Sequence, residues 1–145
     1  MKRVCCLLAL LLCLAGCRQA QNEPGSVTFV NGLEEPITEL YLDEPLSGAA
    51  NCGYWLDRYN ERDLEPGESL ALPCADLPRY HATEFGCDIG IFTESGKFYE
   101  AGNVILLAGD TVTFRLMDGT REWCAFVTSA DGQEKRYPVL HGVAA

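Results

Sequence analysis

The feature that most restricts the fold is a two-residue hydrophobic period, interrupted by turn signals at short intervals. Thr111-Val-Thr-Phe-Arg-Leu116 alternates polar and apolar residues and so places Val112, Phe114 and Leu116 on one face of a strand. Ser26-Val-Thr-Phe-Val30 alternates in the same way. It runs into Asn31-Gly32, a strong turn dipeptide, which makes Ile37-Thr-Glu-Leu-Tyr-Leu42 its expected hairpin partner. In Glu65-Pro-Gly-Glu68 the proline fixes φ and the glycine accepts a positive φ, and Ser69-Leu-Ala-Leu72 leaves that turn as a short strand. Cys87-Asp-Ile-Gly-Ile-Phe-Thr93 puts Cys87, Ile89 and Ile91 together. Glu94-Ser-Gly-Lys97 then turns the chain into Phe98-Tyr99-Glu100, and the apolar run Val104–Leu107 reads as a central strand. After Ala108-Gly-Asp110 and the alternating strand come Trp123–Thr128, a turn at Ala130-Asp-Gly132, and Lys135-Arg-Tyr137. About eight short strands with turns at this spacing predict an all-β fold, an antiparallel β-sandwich or a partly open barrel. Only Tyr54–Tyr59 carries helical spacing, with Trp55, Leu56 and Tyr59 on one side.

The chain starts differently. Lys2 and Arg3 precede Val4–Ala15, which is apolar or small throughout. A dozen residues cannot cross a hydrocarbon core that needs roughly 20 in a helix, so the segment reads as a secretory signal. Its end, Leu14-Ala15-Gly16-Cys17, resembles the lipobox of bacterial lipoproteins. That resemblance implies cleavage before Cys17, a diacylglycerol on its thiol and a place in the bacterial cell envelope, facing periplasm or exterior. Because Arg18 rather than Asp follows, it favours the outer membrane where the organism has one. Each buried CH₂ contributes about 0.8 kcal/mol, so two or three acyl chains would hold the protein on the bilayer essentially permanently. The expected organisation is a leader over 1–16, a polar tether over 17–25 and one β-domain over 26–145. A nine-residue tether reaches at most about 30 Å, which keeps the domain beside the membrane.

Charge and cysteines narrow the compartment and the partners. The formal net charge is −10 and becomes more negative once Lys2 and Arg3 leave with the leader. Nucleic acid is therefore not an expected partner, since phosphates require a positive face. The expected contacts are the membrane, through the lipid anchor, and another envelope protein. Of the eight cysteines, Cys5, Cys6 and Cys13 lie in the leader and Cys17 takes lipid. Cys52, Cys74, Cys87 and Cys124 remain, an even set in an exported chain, which reads as two disulfides with three possible pairings. The preferred arrangement joins Cys52 to Cys74 around a short strand and Cys87 to Cys124 across two inward strand faces. With no Cys-x-x-Cys and only two histidines, His81 and His141, a zinc site has little support.

Beyond the leader, the chain resembles a recurrent bacterial exported β-module over roughly Val27 to Phe114. The shared order is Val27–Gly32, Leu40-Tyr41, Trp55, Leu64-Glu-Pro-Gly-Glu-Ser69, Cys87-Asp88 and Glu94-Ser-Gly-Lys97. Cys52, Cys74 and Cys124 depart from that pattern. The resemblance implies a β-fold and carries no mechanism.

The sequence holds no evident catalytic set. Gly-x-Ser-x-Gly is absent, and His81, which Asp76 or Glu84 could orient, sits in a loop. The most suggestive stretch is irregular. Asp57, Glu61, Asp63 and Glu65 cluster near Trp55 and Tyr59, and carboxylates beside aromatics suit a sugar groove or calcium, although no Asp-x-Asp-x-Asp-Gly loop occurs. Trp55, Asp57, Tyr59 and Asp63 are the candidate binding residues, while tryptophans such as Trp55 and Trp123 more often pack than serve as platforms. The expectation is a non-enzymatic, membrane-anchored binding module that uses loop Asp43–Asp63, without cofactor or metal. The alternatives are an acidic inhibitor of a basic hydrolase such as lysozyme or a protease, and a glycan-acting enzyme using paired carboxylates.

Overall fold

A computed structural model describes residues 25–43, 58–77, 85–120 and 122–143. Among these, nine strands form two sheets. In the first, β3 (Ser69–Pro73), β1 (Ser26–Asn31), β6 (Thr111–Leu116), β7 (Trp123–Thr128) and β8 (Glu134–Pro138) lie side by side in that order. The second runs β2 (Ile37–Asp43), β4 (Phe85–Thr93), β5 (Lys97–Leu106) and β9 (Leu140–Val143). The fold is all-β and sandwich-like, and the two separate sheets do not close into a barrel. Every ladder is antiparallel except the β1–β6 pair, which is parallel. No helix among the described residues is long and apolar enough to cross a membrane.

The alternation seen in sequence puts the core where expected. Val112 and Phe114 of β6, Ala125 and Val127 of β7, and Val27 and Phe29 of β1 face Leu40 and Leu42 of β2, Ile89 and Ile91 of β4, and Val104 and Leu106 of β5. Ile89 and Ile91 are fully buried; a side chain of that size contributes about 1.5–3 kcal/mol on burial.

Several expectations change. Asn31-Gly32 does not close a hairpin, because β1 and β2 belong to different sheets. It is a corner between layers, held by the fully buried Asn31. The Asn31 amide nitrogen donates to the carbonyls of Glu35 (2.9 Å) and Leu64 (2.7 Å), and its oxygen accepts from the Leu33 N–H (2.9 Å). Gly32 is needed for close approach rather than for a turn, since a Cβ there would meet the Phe114 carbonyl oxygen at 2.6 Å. Phe98–Glu100 and Val104–Leu107 are not separate strands but parts of one long β5, kinked where Asn103 takes φ 52° and Asp88 Oδ1 accepts its N–H at 2.7 Å. The sequence reading missed β9.

Part of the irregular region becomes an edge guard. Arg58 and Leu64 bridge to Tyr41 and Ile37 of β2, and buried Asn60 accepts the Leu40 N–H (2.7 Å) while donating to Thr38 and Arg62 carbonyls. Residues 58–64 thereby occupy backbone groups along β2 that an open edge would present to other chains. Arg58 and Tyr59, the end of the stretch with helical spacing, follow this bridged path instead.

The cysteines require a correction. Cys74, Cys87 and Cys124 are buried free thiols. Cys87 points into the core. Cys124 pairs with Arg115, on the opposite face of the first sheet from the inward Val112–Val127 pair. The expected Cys87–Cys124 bridge, premised on two inward faces, is not formed: one odd-numbered step along β7 turns a side chain to the other side of the sheet. The outer side has its own packing, with the Arg115 guanidinium 3.6 Å from the centre of the Phe126 ring and paired to Glu134 at 3.2 Å. Cys52, and with it the Cys52–Cys74 pairing, lies outside the described residues, as do the leader, Cys17 and most of the tether.

Candidate functional site

The candidate binding residues read from sequence do not assemble into a site. Trp55 and Asp57 lie outside the described residues, as do His81 and Glu84. Tyr59 packs half-buried against the core, and its hydroxyl donates to the Asp76 carbonyl at 3.0 Å. Asp63 is exposed beside the edge guard.

The structure instead opens a cleft where the two sheets diverge, beyond the ends of β1 and β6 and the start of β7. Its volume is about 290 Å³, and its lining comes from the Gly32–Glu35 corner, Lys97 and Tyr99 of β5, Leu116 of β6 and Trp123 of β7. Tyr99 is nearly fully buried and backs Trp123, with ring centroids 5.0 Å apart and planes at 62°. This edge-to-face contact fixes the indole, which stays partly exposed. Leu116 has the inward parity of Val112 and Phe114 but, as the last residue of its strand, is 43% exposed.

One wall of the cleft is ionic. Lys97 Nζ donates to Glu35 Oε1 at 2.6 Å, and the Ser95 N–H donates to Oε2 at 3.1 Å. The Lys97 ammonium, followed by Ser95, lowers the Glu35 pKa to about 2, and the carboxylate in turn raises that of Lys97. Glu35 is thus a charged, fixed acceptor at any physiological pH. The contact also ties the β1–β2 corner to the β4–β5 turn, helped by Glu94 N–H donating to the Pro36 carbonyl at 3.2 Å.

A second surface lies on the outer side of the four-stranded sheet. Tyr41, Phe92 and Phe98 form a row with centroid spacings of 5.9 and 4.7 Å. Glu39, Asp43, Asp88 and Glu100 share the outward parity of this row. Burial followed by the nearby Asp88 charge raises the Glu100 pKa, and the Tyr41 hydroxyl donates to Glu39 at 2.9 Å. Among the described residues no group of three or more His, Cys, Asp or Glu side chains is placed to hold a metal ion.

Sequence reasoning missed the cleft because its residues come from four separated stretches. Two signals pointed toward it: the Glu94-Ser-Gly-Lys97 turn, and inward-parity residues at the extreme ends of β6 and β7. Comparison with known proteins found no matching family model, no matching curated sequence and no matching solved structure.

Proposed function

We propose that this is a lipid-anchored envelope protein that acts as a non-enzymatic binding module, with the cleft at the end of the sandwich as its ligand seat. The observation that carries the reading is the cleft itself. A partly exposed indole is held by a buried tyrosine beside an ion pair that is already hydrogen-bonded, all on a rigid β-scaffold. A small concave site that combines aromatic and aliphatic side chains with a few fixed polar groups suits ligand recognition. The Leu14-Ala15-Gly16-Cys17 segment supports the anchor.

Two measurements test this reading. Mass spectrometry of the native protein should find a mature chain that begins at acylated Cys17. Crosslinking and capture from solubilised envelopes should enrich a partner or ligand with the wild type and lose it with Trp123→Ala. An unmodified N-terminus refutes the anchor, and enrichment that is indifferent to Trp123 refutes the seat. The inhibitor reading has one specific observation in its favour, the carboxylates around the Tyr41–Phe92–Phe98 row, which suit a basic protein surface. It would show as inhibition of a basic hydrolase that is relieved by Glu39→Gln/Glu100→Gln.

A further inference from the structure

Resting on the reading of the cleft as the ligand seat, we infer that its ligand is a neutral saccharide of one or two rings. The volume sets the size: about 290 Å³ lies at the small end of the range for ligand pockets. Charge sets the class. Glu35 and Lys97 neutralise each other at 2.6 Å, and the exposed Glu34 beside them leaves the lining with one surplus carboxylate, which disfavours an anion. The paired groups nevertheless keep hydrogen-bonding capacity. A carboxylate offers about four acceptor sites and an ammonium three donors, and the contacts with each other and with Ser95 use only some of these. A wall that donates through Lys97 and accepts through Glu34 and Glu35 matches hydroxyl groups, which both donate and accept.

The opposite wall is Trp123 with Leu116, an aromatic ring beside an aliphatic side chain. A purely apolar ligand would leave the ion pair stripped of water and unmatched, at a cost. A sugar ring has one C–H-rich face for the indole and an equatorial rim of hydroxyls for Glu35 and Lys97, so it satisfies both walls at once. Tyr99 positions the indole from behind through the edge-to-face contact.

The test uses the full chain in detergent micelles and saturation-transfer NMR with three probes: N,N′-diacetylchitobiose, a Lys-rich peptide and inorganic phosphate. The disaccharide should bind saturably, about tenfold or more weaker in Trp123→Ala and severalfold weaker in Glu35→Gln/Lys97→Met. The double variant replaces the exposed Lys97 and the half-buried Glu35 with side chains of similar size, so it reports on the site even if Trp123→Ala unfolds, which circular dichroism would reveal. Absence of disaccharide binding overturns the proposal, and so does binding unaffected by either variant. Peptide or phosphate binding that depends on Trp123, without the disaccharide, overturns the saccharide assignment alone and leaves the cleft as ligand seat.

Discussion

The two ends of the sandwich are built from the same strands but finished in opposite ways. At one end the chain closes on itself. The Cys74 N–H donates to the Gly25 carbonyl (2.7 Å), Gly109 to Ser26 (2.7 Å) and Thr28 to Asp110 (2.9 Å), and Asp110 Oδ2 accepts the Leu107 N–H (2.7 Å). At the other end the corner after β1 is braced from behind by Asn31, and the front is left as a cleft. The carboxylates differ accordingly. Burial raises the pKa of Asp110, whereas Lys97 and Ser95 hold that of Glu35 near 2. The closed end tolerates a charge there; the open end uses one.

The largest effect should come from removing the brace. Asn31→Ala strips partners from Leu33, Glu35 and Leu64 in a buried site and should cost roughly 3 kcal/mol at about one per lost bond. Urea denaturation measures this, and a loss below about 1 kcal/mol would mean that the corner stands without it. Gly32→Ala comes next, because its Cβ must displace the Phe114 backbone. A cost of about 1–3 kcal/mol is expected, with changed amide NMR shifts at Leu33–Glu35 and little change at Leu107–Asp110.

At the closed end, Asp110→Ala should cost about 1 kcal/mol for its part-buried bond to the exposed Leu107. Asp110→Asn keeps an acceptor and removes a poorly solvated charge, so it should be neutral or slightly stabilising at pH 7. A clear destabilisation by Asn would show that the charge itself is needed.

The smallest effect is the pH response of the two carboxylates, which has opposite signs. The contribution of Glu35 is fully present above its ordinary value of 4.5 and disappears as pH falls toward about 2, so Glu35→Gln should destabilise at pH 6 and converge with wild type near pH 2. For Asp110 the folded protein binds the proton more readily. Its contribution is fully present below 3.8 and is lost as pH rises through the higher folded pKa, so the gap between Asp110→Asn and wild type should shrink on acidification. Melting temperatures of both variants across pH 2–7 check the signs.

The legibility of the sequence follows the same division. Strands such as β6 and β7 were readable because alternation is a local signal enforced by a buried face. The Asn31-Gly32 corner misled because the dipeptide that makes a hairpin turn also makes a close crossing between layers, and only the distant Phe114 carbonyl distinguishes the two. β9 pairs with the start of β5 at Lys97–Glu100, and its four residues carry too little periodicity to announce a strand. The cleft was illegible for a different reason: Glu35 and Lys97 meet across 62 residues, and nothing near either one names the other.

The parallel β1–β6 ladder has a consequence for how the chain acquires its shape. Ser26–Asn31 sits inside the five-stranded sheet, yet one of its two neighbours is Thr111–Leu116, which leaves the ribosome some eighty residues later. Joining such distant partners carries a loop-closure cost before any contact repays it, so maturation is slow and proceeds largely all at once. A nascent chain that has not reached Leu116 has only β3 to pair with its first strand, and the five-stranded sheet is completed only after most of the polypeptide has been made.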